Sequence, residues 1–85
     1  MISGLRGKIT EKNLDSITID VNGVGYKVFL TTQSLEELNN LTDSDEVYIN
    51  TYLSVRENAL DLYGFTNSED KELFQLLLTV SGVGP

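Results

Sequence analysis

The sequence predicts a mainly β protein: a five-stranded barrel with one short helix between strands 3 and 4, followed by a C-terminal helix. Three observations predict it. Apolar residues alternate with period two through most of the chain up to Phe65. An Asn-Gly pair at 22 and 23 breaks that alternation in the manner of a tight hairpin. Helical spacing replaces it twice, over 31–41 and again from Asn67 onward.

The elements follow in order. The first strand runs from about Ile2 to Lys12, and Gly4 and Gly7 within it permit the sharp bending of a small barrel. Ser16 to Val21 alternates cleanly and puts Ile17, Ile19 and Val21 on one face. After Asn22-Gly23 the chain returns over Gly25 to Leu30, with Tyr26 and Val28 on one side. Leu35, Leu38 and Leu41 then recur every third residue with Glu36 and Glu37 opposite, a short helix for which Thr32 or Ser34 can supply the cap. Thr42 to Asp45 is a polar loop. Glu46 to Val55 is the fourth strand, with Val47, Ile49, Thr51, Leu53 and Val55 in phase, and Ala59 to Phe65 is the fifth, the chain reversing at Arg56-Glu57-Asn58. This order of strands and helix is that of the OB-fold, a five-stranded barrel often used on nucleic acids. At Thr66-Asn67 the pattern turns helical, which divides the chain into a barrel over 1–65 and a second unit beginning at 66–85.

The C-terminal helix is the best-marked element. Asn67 is a good N-cap, and Glu69 and Asp70 sit where the helix dipole favours negative charge. Leu73, Leu76, Leu77 and Val80 form an apolar stripe that Phe74 widens. Ser81-Gly82-Val83-Gly84-Pro85 follows. Gly82 stops the helix, and Pro85 suits the first turn of another. A Gly-x-Gly here can be a simple helix stop. It also lets backbone N–H groups of Gly82, Val83 and Gly84 approach a phosphate with no Cβ in the way, as in a helix-hairpin-helix clamp.

Composition narrows the chemistry. Eighty-five residues suit one small core. With no cysteine, disulfides and thiolate metal sites are excluded; with no histidine, the commonest general base and metal ligand is missing. Arg6, Lys8, Glu11 and Lys12 interrupt the N-terminus before any signal-like apolar run, and the chain reads as cytoplasmic, without a membrane span. Thirteen acidic residues against six basic ones give a net charge of -7. That balance opposes tight DNA binding, because phosphate affinity comes mainly from Lys and Arg. Charge and glycine hairpin point in opposite directions.

Taken together, Asp20-Val21-Asn22-Gly23-Val24-Gly25-Tyr26, Val55-Arg56-Glu57, Leu62-Tyr63-Gly64-Phe65, Glu72-Leu73-Phe74 and Ser81 to Pro85 resemble the RuvA family along the whole chain. The resemblance implies an OB-fold first domain and the opening of a second, helix-hairpin-helix domain, so that these residues form the N-terminal part of a longer subunit. It implies a homotetramer that cradles four-way junction DNA. A RuvB-type hexameric ATPase motor would act through a further domain, a RuvC-type resolvase is another implied partner, and the subunit itself is non-catalytic and needs no cofactor. It implies that the turn after the fourth strand carries an acidic pin of two carboxylates at the junction crossover. Glu57 matches the first of these, and Asn58 stands where the second would be.

Each site has a plainer alternative. Glu57 and Asn58 can be an ordinary solvated hairpin tip. Arg56 can touch DNA beside the pin or pair with Glu57 or Asp61. Lys8, Lys12 and Lys27 can line a basic face or be ordinary surface lysines. Tyr26, Phe29, Tyr48, Tyr52, Tyr63 and Phe65 can stack bases, as on single-strand-binding OB-folds, but their strand positions favour packing, and Tyr26, Tyr48 and Tyr63 can also seal a subunit contact. Glu57 with Asp61 makes a poor metal or hydrolytic pair, and no Walker-type phosphate loop is present. Two rival functions stand beside the junction reading: a single-stranded nucleic-acid module and a pure oligomerisation domain.

Overall fold

A computed structural model describes residues 1–41 and 44–81. Its elements are β1 (Gly4–Lys12), β2 (Ser16–Val21), β3 (Val24–Leu30), α1 (Thr32–Leu38), β4 (Glu46–Arg56), β5 (Ala59–Phe65) and α2 (Ser68–Ser81). The strands close into a barrel in the order β1-β2-β3-β5-β4, with β4 returning to β1. All pairs are antiparallel except β3 with β5. This is the OB-fold arrangement expected from the order of the elements.

Closure depends on β1 serving two neighbours. Its first half, Gly4 to Lys8, pairs with β4, and its second half, Lys8 to Lys12, pairs with β2. The β1–β2 register shifts between Ile9 and Glu11, leaving Thr10 as the extra residue of a bulge. A bulge bends its strand and increases the twist, which lets one strand serve both walls. The β2–β3 hairpin turns at Asn22 (φ 52°) and Gly23 (φ 90°), the left-handed pair that matches the twist of the flanking strands.

Inward residues at alternate positions fill the barrel. Ile17, Ile19, Val28 and Ile49 are completely buried, with Leu5, Ile9, Leu30, Val47 and Leu62 around them and Leu38 of α1 joining from the helix. Each such side chain contributes about 1.5–3 kcal/mol on burial. Thr51 is a completely buried polar residue of β4. Its hydroxyl donates to the Ile2 carbonyl at 2.8 Å and its N–H to Ser3 O at 3.0 Å, which continues the β1–β4 seam beyond the start of β1. Among the described residues no buried side-chain nitrogen or oxygen lacks a partner.

Two details differ from the sequence reading. The cap of α1 is Thr31, one residue before Thr32 and three before Ser34: its hydroxyl accepts from Ser34 N–H at 3.1 Å. The period of β4 holds through Thr51 and then fails, for Leu53 is only half-buried, Ser54 is buried and Val55 is 66% exposed. The β4–β5 ladder stays in register to Arg56↔Ala59, so no bulge causes this. The ribbon simply runs past the end of the core, where its inner face has nothing opposite. The exposure of α2 adds what its spacing left open. Asn67 caps it as expected, accepting from Asp70 N–H at 2.8 Å while its amide donates to Asp70 Oδ2 at 3.1 Å. Yet Leu73, Leu76, Leu77 and Val80 are all more than half exposed, and the less exposed face is Lys71, Phe74 and Leu78.

Candidate nucleic-acid interface

The β4–β5 hairpin extends beyond the barrel and ends in a two-residue turn, Glu57-Asn58, between the last paired residues Arg56 and Ala59. Both turn side chains are exposed. Neither residue has a positive φ, so Asn58 is not present to supply a left-handed backbone. Behind the turn, Arg56 Nη2 lies 3.0 Å from Asp61 Oδ2, with the two side chains 54% and 26% exposed. Of the readings open to Arg56, the one realised within the chain is the pair with Asp61. The pair satisfies Asp61 and leaves the Glu57 carboxylate without an ion-pair partner among the described residues. Val55 and Leu60, cross-strand partners, add an exposed apolar patch beneath the tip.

Asp61 is therefore spoken for. Among the described residues no group of three or more carboxylates comes together in a way that could hold a metal ion. No helix among them is long and apolar enough to cross a membrane.

The lysines do not assemble a basic face. Lys12 Nζ reaches the Leu38 carbonyl at the end of α1 (3.5 Å), and Lys27 Nζ sits 5.0 Å from the centre of the Phe29 ring. Lys8 stands between Asp20 and Glu46 in the two ladders of β1.

The aromatic residues are mostly consumed inside the chain, though not where their strand positions suggested. Phe29, Tyr52 and Tyr63 point outward from three adjacent strands, and with Phe65 they form a second apolar cluster beneath α2. Phe74 of α2 closes it, its ring centre 5.6 Å from Tyr52, 5.9 Å from Tyr63 and 5.2 Å from Phe65. Tyr26 packs half-buried against the barrel core. The one clearly exposed aromatic among the described residues is Tyr48, with the Arg6 guanidinium stacked 5.1 Å from its ring centre. A platform for successive unstacked bases is thus not available on the outer wall of β3, β5 and β4. Sequence reasoning missed both the Arg6–Tyr48 stack and the anchoring role of Phe74. The first had a cross-strand signal only visible once the β1–β4 register was known. Gly82, Val83 and Gly84, the expected phosphate hairpin, lie outside the described residues.

Residues 1–64 match the family model described as the RuvA N terminal domain. The chain belongs to the RuvA N-terminal domain family. Curated relatives extend the similarity through α2 to the end of the chain. A Holliday junction branch migration complex subunit RuvA from Bdellovibrio bacteriovorus is 50% identical over 86 residues, covering 100% of this chain and 43% of the relative. The subunit of the same name from Geotalea daltonii is 47% identical over 88 residues, and that of Chloroherpeton thalassium 46% over 85; each covers all of this chain and 42% of the relative. The chain spans about two-fifths of the length of these RuvA relatives.

Proposed function

We propose that this chain is the barrel-bearing part of a non-catalytic subunit that binds four-way DNA junctions and holds the crossover open during branch migration. The observation that carries the reading is the exposed Glu57-Asn58 tip of the β4–β5 ribbon, in a chain of the RuvA N-terminal domain family. The tip would act by repulsion. A carboxylate held ~6 Å from a phosphate at an effective dielectric of 20–40 costs roughly 1–3 kcal/mol before salt screening. With Asn58 neutral, each tip supplies one such carboxylate instead of two. Four tips around a symmetric tetramer would keep strands apart at the centre and guide them outward without cutting them.

Attraction would come from elsewhere. The net charge of -7 makes this part a weak phosphate binder, and backbone amides of Gly82, Val83 and Gly84 would anchor a phosphate once a following helix oriented them. Residues 66–85 would then open a second, helix-hairpin-helix domain. A separate ATPase of RuvB type would supply the motor, a RuvC-type resolvase would act on the same junction, and the assembly would be a cytoplasmic one. Recognition would be of junction shape, since no element among the described residues resembles a basic recognition helix.

A chimera in which this chain replaces the matching residues of the Bdellovibrio bacteriovorus relative tests the tip. Glu57→Gln should tighten linear-duplex binding by about fivefold, the equivalent of ~1 kcal/mol, and reduce the preference for junctions. Asn58→Asp should shift both quantities the other way, without a backbone penalty. Unchanged junction-to-duplex ratios in both variants would refute the repulsive tip.

A further inference from the structure

The side chains that hold α2 and the tip that faces the proposed junction belong to one ribbon. Tyr52 and Tyr63 are direct partners in the β4–β5 ladder, and the ladder continues without a shift to Arg56↔Ala59 at the tip. The two points lie four residue steps apart along the strand, about 13 Å at strand rise. Phe74 of α2 inserts against Tyr52, Tyr63 and Phe65 at the base of this ribbon. Its neighbours on the same helix face act with it. Lys71 Nζ donates to the Ser3 carbonyl at 3.1 Å, the oxygen that also accepts Thr51 N–H across the barrel seam. Just before the helix, Thr66 Oγ1 donates to Glu37 Oε2 of α1 at 2.6 Å. The polar contacts lie at the start of α2, and the Phe74 ring packs one turn further along it. That ring lies in the aromatic cluster outside the barrel core, so it contributes little to closing the barrel itself.

We infer that Phe74 is a positioning residue: its aromatic clasp on the β4–β5 ribbon sets the angle of α2 relative to the Glu57-Asn58 tip. The spacing between the repelling tip and whatever α2 carries at its far end is thereby fixed. This rests on the junction reading of the tip. The physical benefit is that of linked contacts. Two weak contacts on one rigid frame reinforce each other only when both can engage the same ligand at once, and a loose joint loses that gain.

The absence of cysteine lets the joint be measured directly. Spin labels on cysteines introduced at exposed Leu60 and Gln75 report the distance from ribbon to helix in this 85-residue chain. The parent should give one narrow distance distribution. Phe74→Ala should broaden it while the barrel still melts cooperatively, Phe74→Leu should broaden it less, and Phe74→Tyr should restore it. In the chimera, Phe74→Ala should lower the junction-to-duplex preference by about tenfold, with linear-duplex affinity unchanged and Phe74→Tyr again restoring the parent value. A parental distance distribution in Phe74→Ala would overturn the inference. If that variant loses the barrel, the Leu variant decides, and a narrow parental distribution there overturns it equally. An unsubstituted chimera with no junction preference would instead sink the functional reading, and the label distances would still judge the clasp.

Discussion

Gly64→Ala measures how tightly the barrel closes. Gly64 lies on β5 between Leu30 of β3 and Thr51 of β4, facing inward. A Cβ at this position would lie 2.5 Å from Val28 Cγ1 and 2.7 Å from both Ile49 Cγ2 and Leu30 Cδ2. Carbon atoms pack comfortably at about 3.5–4.0 Å, so three branched side chains must each retreat by about 1 Å. Val28 and Ile49 are completely buried, so they retreat only by displacing other core side chains. Overpacking of this kind costs about 1–3 kcal/mol, partly offset by the ~0.4–1 kcal/mol gained from the reduced freedom of alanine in the unfolded chain. The net loss, centred on about 1.3 kcal/mol, should lower the melting temperature by roughly 5–10 °C for a chain this short, read by far-UV circular dichroism, with the urea m-value unchanged. Adding Val28→Ala, which removes the nearest atom, should cost less than it does in the parent, giving a favourable coupling of about 0.5 kcal/mol or more in a double-mutant cycle. A melting point equal to the parent's would refute the reasoning, because it would require space at Gly64 that the packing does not leave.

Two further substitutions probe local features. Thr31→Ala removes the cap of α1 and should cost about 1 kcal/mol, a fall of roughly 4–8 °C in the melting temperature. Serine at the same position should recover most of it. Arg56→Ala breaks the pair with Asp61, but the arginine is more than half exposed, so the chemical-denaturation midpoint should register less than about 1 kcal/mol. A larger loss would mean that the pair holds the ribbon together.

What could be read from the sequence was what local physics decides. The β2–β3 hairpin was legible because Asn22-Gly23 is a turn signal in itself, and the ends of β5 because turn residues and the switch at Thr66-Asn67 bracket it. The α2 cap was legible for the same reason. The misreadings needed three-dimensional information. Val55 looks inward by parity, yet the core stops before the strand does. The Leu73, Leu76, Leu77 and Val80 stripe was legible as a stripe, but its spacing does not say which side of α2 meets the barrel, and that side carries Lys71, Phe74 and Leu78. The outward aromatics of β3, β4 and β5 carry no local mark of being covered, because their cover arrives from a segment further along the chain. In the candidate interface, the exposed turn could be located from its polar residues. That Arg56 would be occupied by Asp61 depended on a cross-strand diagonal no spacing rule fixes.

Barrel closure has a consequence for how the chain is made. Gly4 must find Asn50, and Val28 must find Leu62, so the early strands wait on late ones. A nascent chain emerging from the ribosome can form the β1–β2–β3 meander promptly, but both outer borders of that meander offer unpaired amides and carbonyls. They stay open to other nascent chains until Phe65 has cleared the exit tunnel. The last strand of the barrel to be synthesised thus ends the barrel's period of greatest aggregation risk, and slowing translation just upstream of it should lower soluble yield more than slowing it anywhere earlier in the barrel.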